Sequence, residues 1–119
     1  MSYKVDRVKW RRFATEIKSI REKVFVYEYR IPEINEFDNQ DGDCDHVLIR
    51  DDDGQAIATG RLCADGKISR IAVLMKYRNS DAAQQVMSKL LAIAKMKGLT
   101  SVSIDSELQD VDKYQSQGF

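Results

Sequence analysis

The sequence predicts an α+β fold layered α/β/α: a mixed, mostly antiparallel central sheet with one parallel strand pair, covered by helices. Three observations lead there. Asp53-Gly54 and Asp65-Gly66 each separate β-rich runs and read as tight turns of a three-strand antiparallel meander. Ile68 to Val73 is a β-branched run that leads through a polar loop into an amphipathic helix and then a further strand. That order makes the two flanking strands parallel neighbours. A second amphipathic helix precedes the meander, with Trp10, Phe13, Ile17, Ile20, Val24 and Phe25 spaced by threes and fours. A length of 119 residues fits one domain, expected over 1–119.

Taken in order, Tyr3 to Val8 alternates weakly and reads as an edge-like strand. The first helix is expected from about Lys9 to Tyr27, with Arg11, Arg12, Lys18 and Arg21 largely off its apolar stripe. Tyr27 to Asp45 is irregular, carries the only proline (Pro32), and holds Glu33, Glu36, Asp38, Asp41, Asp43 and Asp45. His46–Arg50, Gln55–Leu62 and the run from Ile68 form the meander. From Ala82 onward Ala83, Val86, Met87, Leu90, Leu91, Ile93 and Ala94 fall at helical spacing, and Lys97-Gly98 is the C-cap. Thr100 to Asp105 is the expected fifth strand, and Glu107 to Gln117 a short last helix.

Composition narrows the function classes. Nineteen basic and 19 acidic residues give a formal net charge of zero, so no whole-protein field draws nucleic acid or an anionic membrane. Neither is expected as a partner. Met1–Asp6 is polar with no apolar segment after it, which argues against a signal peptide and for a cytoplasmic protein. Cys44 and Cys63 lack CxxC spacing and His46 stands alone, so reduced thiols are expected and no metal site. Asp41-x-Asp43-x-Asp45 has the alternate oxygens of a calcium loop, but His46 and Asp52 stand where that loop needs glycine and glutamate. His46, at a strand start, reads better as a structural hydrogen-bonding residue than as a base.

The stretch Ile68–Met87 is a strand running into a helix start, where free N–H groups and the helix dipole favour an anion. It resembles the acetyl-CoA-binding motif of the GNAT N-acetyltransferase superfamily, a strand followed by Arg/Gln-x-x-Gly-x-Gly/Ala and a helix. The matching run is Arg78-Asn79-Ser80-Asp81-Ala82-Ala83. Arg78 and Ala83 fit, and Asp81 replaces the first loop glycine. Ile20–Glu28, Pro32, Asp38, Asp41, His46, Ala58–Leu62 and Tyr114–Phe119 resemble a bacterial subgroup of small acetyltransferases, so the likeness runs through nearly the whole chain.

The resemblance implies a GNAT-like sheet whose parallel pair splays around the central helix, lacking the usual last strand or strands. It implies transfer of an acetyl group from acetyl-CoA, the co-substrate, to an unidentified small-molecule or peptide amine by direct attack. Ile71, Ala72, Val73, Arg78, Asn79, Ser80, Asp81, Ala82 and Ala83 would then bind acetyl-CoA. Glu28 would be the general base, and Tyr114 would protonate the leaving thiolate or simply pack its helix. Glu33, Glu36 and Asp38 would receive the amine, or form a solvated acidic loop. Asp81 has two readings. It puts a charge where the backbone should approach a diphosphate, or it caps the helix in an Asp-x-x-Gln box with Gln84. A non-catalytic GNAT-fold binding or interaction protein is the alternative function. A sheet edge left open at the C-terminus would favour a homodimer.

Overall fold

The computed structural model describes residues 3–104. Five strands lie in the order β1-β2-β3-β4-β5: β1 (Lys4–Val8), β2 (Asp45–Arg50), β3 (Ala56–Leu62), β4 (Lys67–Val73) and β5 (Ser103–Ile104). The first four pair antiparallel, and β4 and β5 pair parallel. The expected mixed sheet is therefore present. The parallel pairing joins Lys67 to Ser103 and Ile68 to Ile104. The expected helix over Glu107–Gln117, Tyr114 and the C-terminal sheet edge lie outside the described residues.

Alternation along the strands sorts their side chains onto two faces. Val47, Ile49, Ile57, Ile68 and Val73 pack with Val86, Met87, Leu90 and Ile93 of α3 (Ala82–Met96). Leu48 and Ala72 face the other way, onto Ile17, Ile20, Val24 and Phe25. Those four belong to α1 (Trp10–Arg21) and to a π-helical segment, Glu22–Glu28, that continues it. The predicted helix thus spans the expected residues, but its last turns are wound more widely. Tyr29 N–H bonds to Val24 O at 3.0 Å, five residues back. A four-residue helix, α2 (Glu33–Glu36), and a 3₁₀ turn at Asp41–Asp43 interrupt the irregular segment.

Three expectations are corrected. Arg21 does not fall off the apolar stripe: it is fully buried, four residues after Ile17 and three before Val24. Cys44 and Cys63 are not free thiols but a disulfide, with Cα atoms 4.3 Å apart. Register explains the pairing. Asp45 opposes Leu62 across β2 and β3, so the next residue outward on each strand is the other's neighbour. Helix α3 begins with Asp81 at the N-cap, yet the Asp81 carboxylate makes no capping bond. The Ser80 hydroxyl accepts the Ala82 N–H at 3.2 Å instead.

Strand β4 carries a bulge. Thr59 opposes Ala72 and Arg61 opposes Ser69, so two residues of β4 stand against Gly60 alone. Arg70 takes a left-handed conformation there, φ 58°. The extra residue changes the phase: Ile68 faces α3, and so do Ile71 and Val73 beyond the bulge. Opposite it, Gly60 lets α3 come close. A Cβ there would lie 2.4 Å from Val86 Cγ1 and 2.9 Å from Leu90 Cδ1. Val86 is β-branched and stiff, so it cannot swing aside cheaply. Gly60→Ala should lower stability by about 1–3 kcal/mol, seen as a lower urea midpoint with an unchanged slope.

Candidate functional site

Three arginines and three carboxylates meet beneath the α1 side of the sheet. Arg21 donates from Nε to Glu36 Oε2 at 2.7 Å, from Nη1 to Asp41 Oδ1 at 2.7 Å and from Nη2 to the Glu36 carbonyl at 3.0 Å. Arg61 donates to both Asp38 oxygens at 2.9 and 3.0 Å, to Asp41 at 3.1 Å and to Ser69 Oγ at 3.2 Å. Arg70, at the bulge, donates to the main-chain oxygens of Asn35 and Glu36, each at 3.2 Å, and to Asp38 at 3.3 Å. Phe37 lies across the Arg21 guanidinium, 5.0 Å from its centre.

A buried charge is tolerable only when paired and fully hydrogen-bonded, and here three positive charges meet three negative ones. The hydrogen bond from Arg61 holds the Asp38 carboxyl down at about 2. Burial pushes the Glu36 carboxyl above its ordinary range, against the opposing pull of Arg21. His46 lies in the same layer. It is buried beneath Trp10 (ring centroids 5.2 Å apart), and its Nε2 is 2.9 Å from the Asp41 carbonyl. A carbonyl only accepts, so Nε2 carries the proton. Burial lowers the His46 pKa, which keeps the ring neutral near pH 7.

The expected amine-binding carboxylates are thus placed differently from one another. Glu36 and Asp38 are bound to arginines, and Glu33 is exposed on α2. Arg21, Arg61 and Arg70 did not emerge as site residues from the sequence. One signal was available for Arg21: a cation at a stripe position with an acidic run following it.

A second cluster forms where β4 ends. Leu74 N–H returns to Ile57 O at 2.9 Å, and a 3₁₀ turn at Met75–Tyr77 starts the loop. Tyr77 is buried and donates its hydroxyl to Asp51 at 2.6 Å, which pushes its pKa up to about 12. Ser80 Oγ donates to the Tyr77 carbonyl at 2.6 Å. These bonds fix Arg78, whose Nη2 donates to the Val73 carbonyl at 2.8 Å. The same guanidinium holds Glu28 through both carboxylate oxygens, Nη2 to Oε1 at 3.0 Å and Nη1 to Oε2. Glu28 ends the π-helical segment, so the pair ties that segment to the end of β4.

Of the expected acetyl-CoA residues, Ala72, Val73 and Ala82 are buried, and Ile71, Arg78 and Ala83 are half-buried. Asn79, Ser80 and Asp81 are exposed. The first-turn N–H groups of Ala83 and Gln84 have no intrahelical acceptor available to them. Arg78 stands three residues before the N-cap of α3, with its guanidinium on Glu28 and the Val73 carbonyl. Among the described residues no group of three or more His, Cys, Asp or Glu is placed to hold a metal ion. Nor is any described helix long and apolar enough to cross a membrane.

The chain matches the model of the Acetyltransferase (GNAT) family over residues 13–119. It is 34% identical over 110 residues to the uncharacterized Bacillus subtilis (strain 168) protein YyaT, which covers 87% of this chain and 74% of that one. A crystal structure of a candidate N-acetyltransferase from Lactobacillus plantarum superposes with TM-score 0.82 and 24% identity, covering 99% of this chain and 84% of the other. The structure of the aminoglycoside N-acetyltransferase AAC(6')-Iy in complex with CoA superposes with TM-score 0.72 and 14% identity, covering 99% of this chain and 88% of that one.

The Asp38–Arg61 pair predicts an acid dependence. The folded pKa lies below the unfolded value of 3.8, so its stabilisation is complete above pH 3.8 and is lost as pH falls through about 2. A shift of that size corresponds to about 2 kcal/mol. Chemical denaturation at a series of pH values should show Asp38→Asn destabilised at pH 6 and closing on the wild type towards pH 2.

Proposed function

Because this chain belongs to the GNAT acetyltransferase family, we propose that it transfers an acetyl group from acetyl-CoA to a small-molecule or peptide amine. The observation that carries the reading is the end of β4. A bulged strand passes through a pinned loop into a 15-residue helix, and Arg78 of that loop is held to the Val73 carbonyl. A helix N-terminus next to a guanidinium favours a diphosphate.

Acetyl-CoA supplies an activated thioester, and the residues of the chain bind, orient and move protons. The backbone N–H groups from Arg78 to Ala83, in the loop and at the start of α3, hold the diphosphate. Ile71, Ala72 and Val73 line up the arm along β4. Glu28, one guanidinium away from the Val73 carbonyl, takes the proton from the amine as nitrogen bonds to the acetyl carbon. The carbon–sulfur bond breaks, and Tyr114, outside the described residues, returns a proton to sulfur. Of the three expected amine-binding carboxylates Glu33 is the exposed one, and Glu36 and Asp38 support it by keeping α2 and its loop in place.

The exposed Asp81 supports a second reading, a GNAT-fold protein that binds a partner and does no chemistry. Its charge at the helix start works against a diphosphate. Calorimetry with acetyl-CoA separates the two. The wild type should bind in the micromolar range, and Asp81→Gly should bind about tenfold more tightly or better. Absence of binding in both would contradict the acetyltransferase reading.

A further inference from the structure

The first strand of the sheet is open along one side. Strand β1 pairs with β2, and among the described residues no strand covers its other side. Such an edge presents unpaired main-chain N–H and C=O groups, a template for another strand. Alternation sorts its side chains onto two faces. Tyr3 and Val5 pack into the core on the α3 side, and Val8 packs on the α1 side. Lys4 and Asp6 therefore share the α1 side with Val8. On the α3 side an open groove of about 520 Å³ lies between Val5 and Gln84, Gln85 and Ala92 of α3, so side chains of an added strand have room there.

Native edges are commonly blunted by a lysine, and Lys4 is exposed. Its neighbour across β2 is Arg50, a like charge already taken by Glu16 at 2.6 and 2.8 Å. The match for Lys4 lies two residues along its own strand, where Asp6 stands opposite the apolar Leu48. Two copies of β1 laid antiparallel with Val5 on the two-fold axis bring each Lys4 opposite the second copy's Asp6. The neighbouring registers fail. Centring on Lys4 sets lysine against lysine, and centring on Asp6 sets aspartate against aspartate. Charge thus selects one register, and the strand that satisfies it is this strand itself.

We propose that β1 is the seam of a symmetric homodimer, in which two copies of Lys4–Val8 pair antiparallel about Val5 with a Lys4–Asp6 contact on each side of the axis. The same patch serves both copies, so the contact closes after two chains and covers both β1 edges. The two sheets become one. This inference does not rest on the acetyltransferase reading.

The test is sedimentation equilibrium over a range of concentrations, on the chain without an N-terminal tag. The wild type should reach twice its 13.7 kDa in the tens of micromolar. Lys4→Asp sets carboxylate against carboxylate and Asp6→Lys sets cation against cation, so each should weaken the dimer about tenfold or more. Lys4→Asp combined with Asp6→Lys exchanges the charges and should restore association to within about threefold of the wild type. A wild type that stays monomeric at those concentrations overturns the proposal. So do single variants that associate as tightly as the wild type, and so does an exchanged variant no tighter than the singles. Asp6 also attracts Arg50 within its own chain, so Asp6→Lys puts its fold at risk. If circular dichroism shows that variant unfolded, hydrogen exchange takes its place. Amides of 4–8 in the wild type should then exchange more slowly as protein concentration rises, and those of Lys4→Asp should not. Wild-type exchange that ignores concentration overturns the proposal as well.

Discussion

Arg21 sits in this fold with no exposure to water, and its charge must be neutralised where it lies. Helix periodicity puts it there, between Ile17 and Val24 on the face that packs on the sheet. The neutralising groups come from the segment that follows. Glu36 reaches it from α2 and Asp41 from the next 3₁₀ turn, so about ten residues of otherwise irregular chain are drawn against the sheet. Asp41 is shared with Arg61 on β3, which requires Asp38, which in turn meets Arg70 at the β4 bulge. Removing Glu36 or Asp41 would strand a buried charge on Arg21, a cost of about 3–5 kcal/mol. The network therefore holds α1, the acidic segment and two central strands in one arrangement.

This bears on how the acidic segment can act. Its composition suggests a trap for cationic amines, yet Glu36, Asp38 and Asp41 are already matched by guanidiniums. Burial and pairing turn them into scaffold. The left-handed Arg70 belongs to the same arrangement, since a strained backbone conformation persists only where its surroundings hold it. At the end of β4 the half-exposed Glu28–Arg78 pair, Asn79, Ser80 and Asp81 remain open to solvent. The proposed chemistry is assigned there for that reason.

Local signals made most of the architecture legible. The Asp53-Gly54 and Asp65-Gly66 turns mark the meander, and both glycines take positive φ. The spacing of Val86, Met87, Leu90 and Ile93 marks α3, and strand–helix–strand order predicts the parallel pair. The features that escaped depend on non-local geometry. Cys44 and Cys63 are 19 residues apart in sequence, and only the β2–β3 register brings them together. Counting outward from the Asp53-Gly54 turn misses the pairing by one residue, because the ladder slips between Ile49 and Arg50. Arg21 reads as a surface cation until the acids that neutralise it are known. The bulge at Arg70 has no local signature, because it answers Gly60 on the neighbouring strand. Asp81 has the right residue type for a cap, but Ser80 reaches the Ala82 N–H first.

The central claim is that the reactive end of the molecule is the β4–α3 junction with Glu28, and that the arginine-locked acidic segment is scaffold. The most direct measurement is a titration of ¹⁵N-labelled protein with acetyl-CoA, followed by amide chemical shifts. The account predicts shifts concentrated at 73–85 and at the end of the π-helical segment near Glu28, with 33–45 nearly still. Shifts concentrated in 33–45, or none at 73–85, would contradict it.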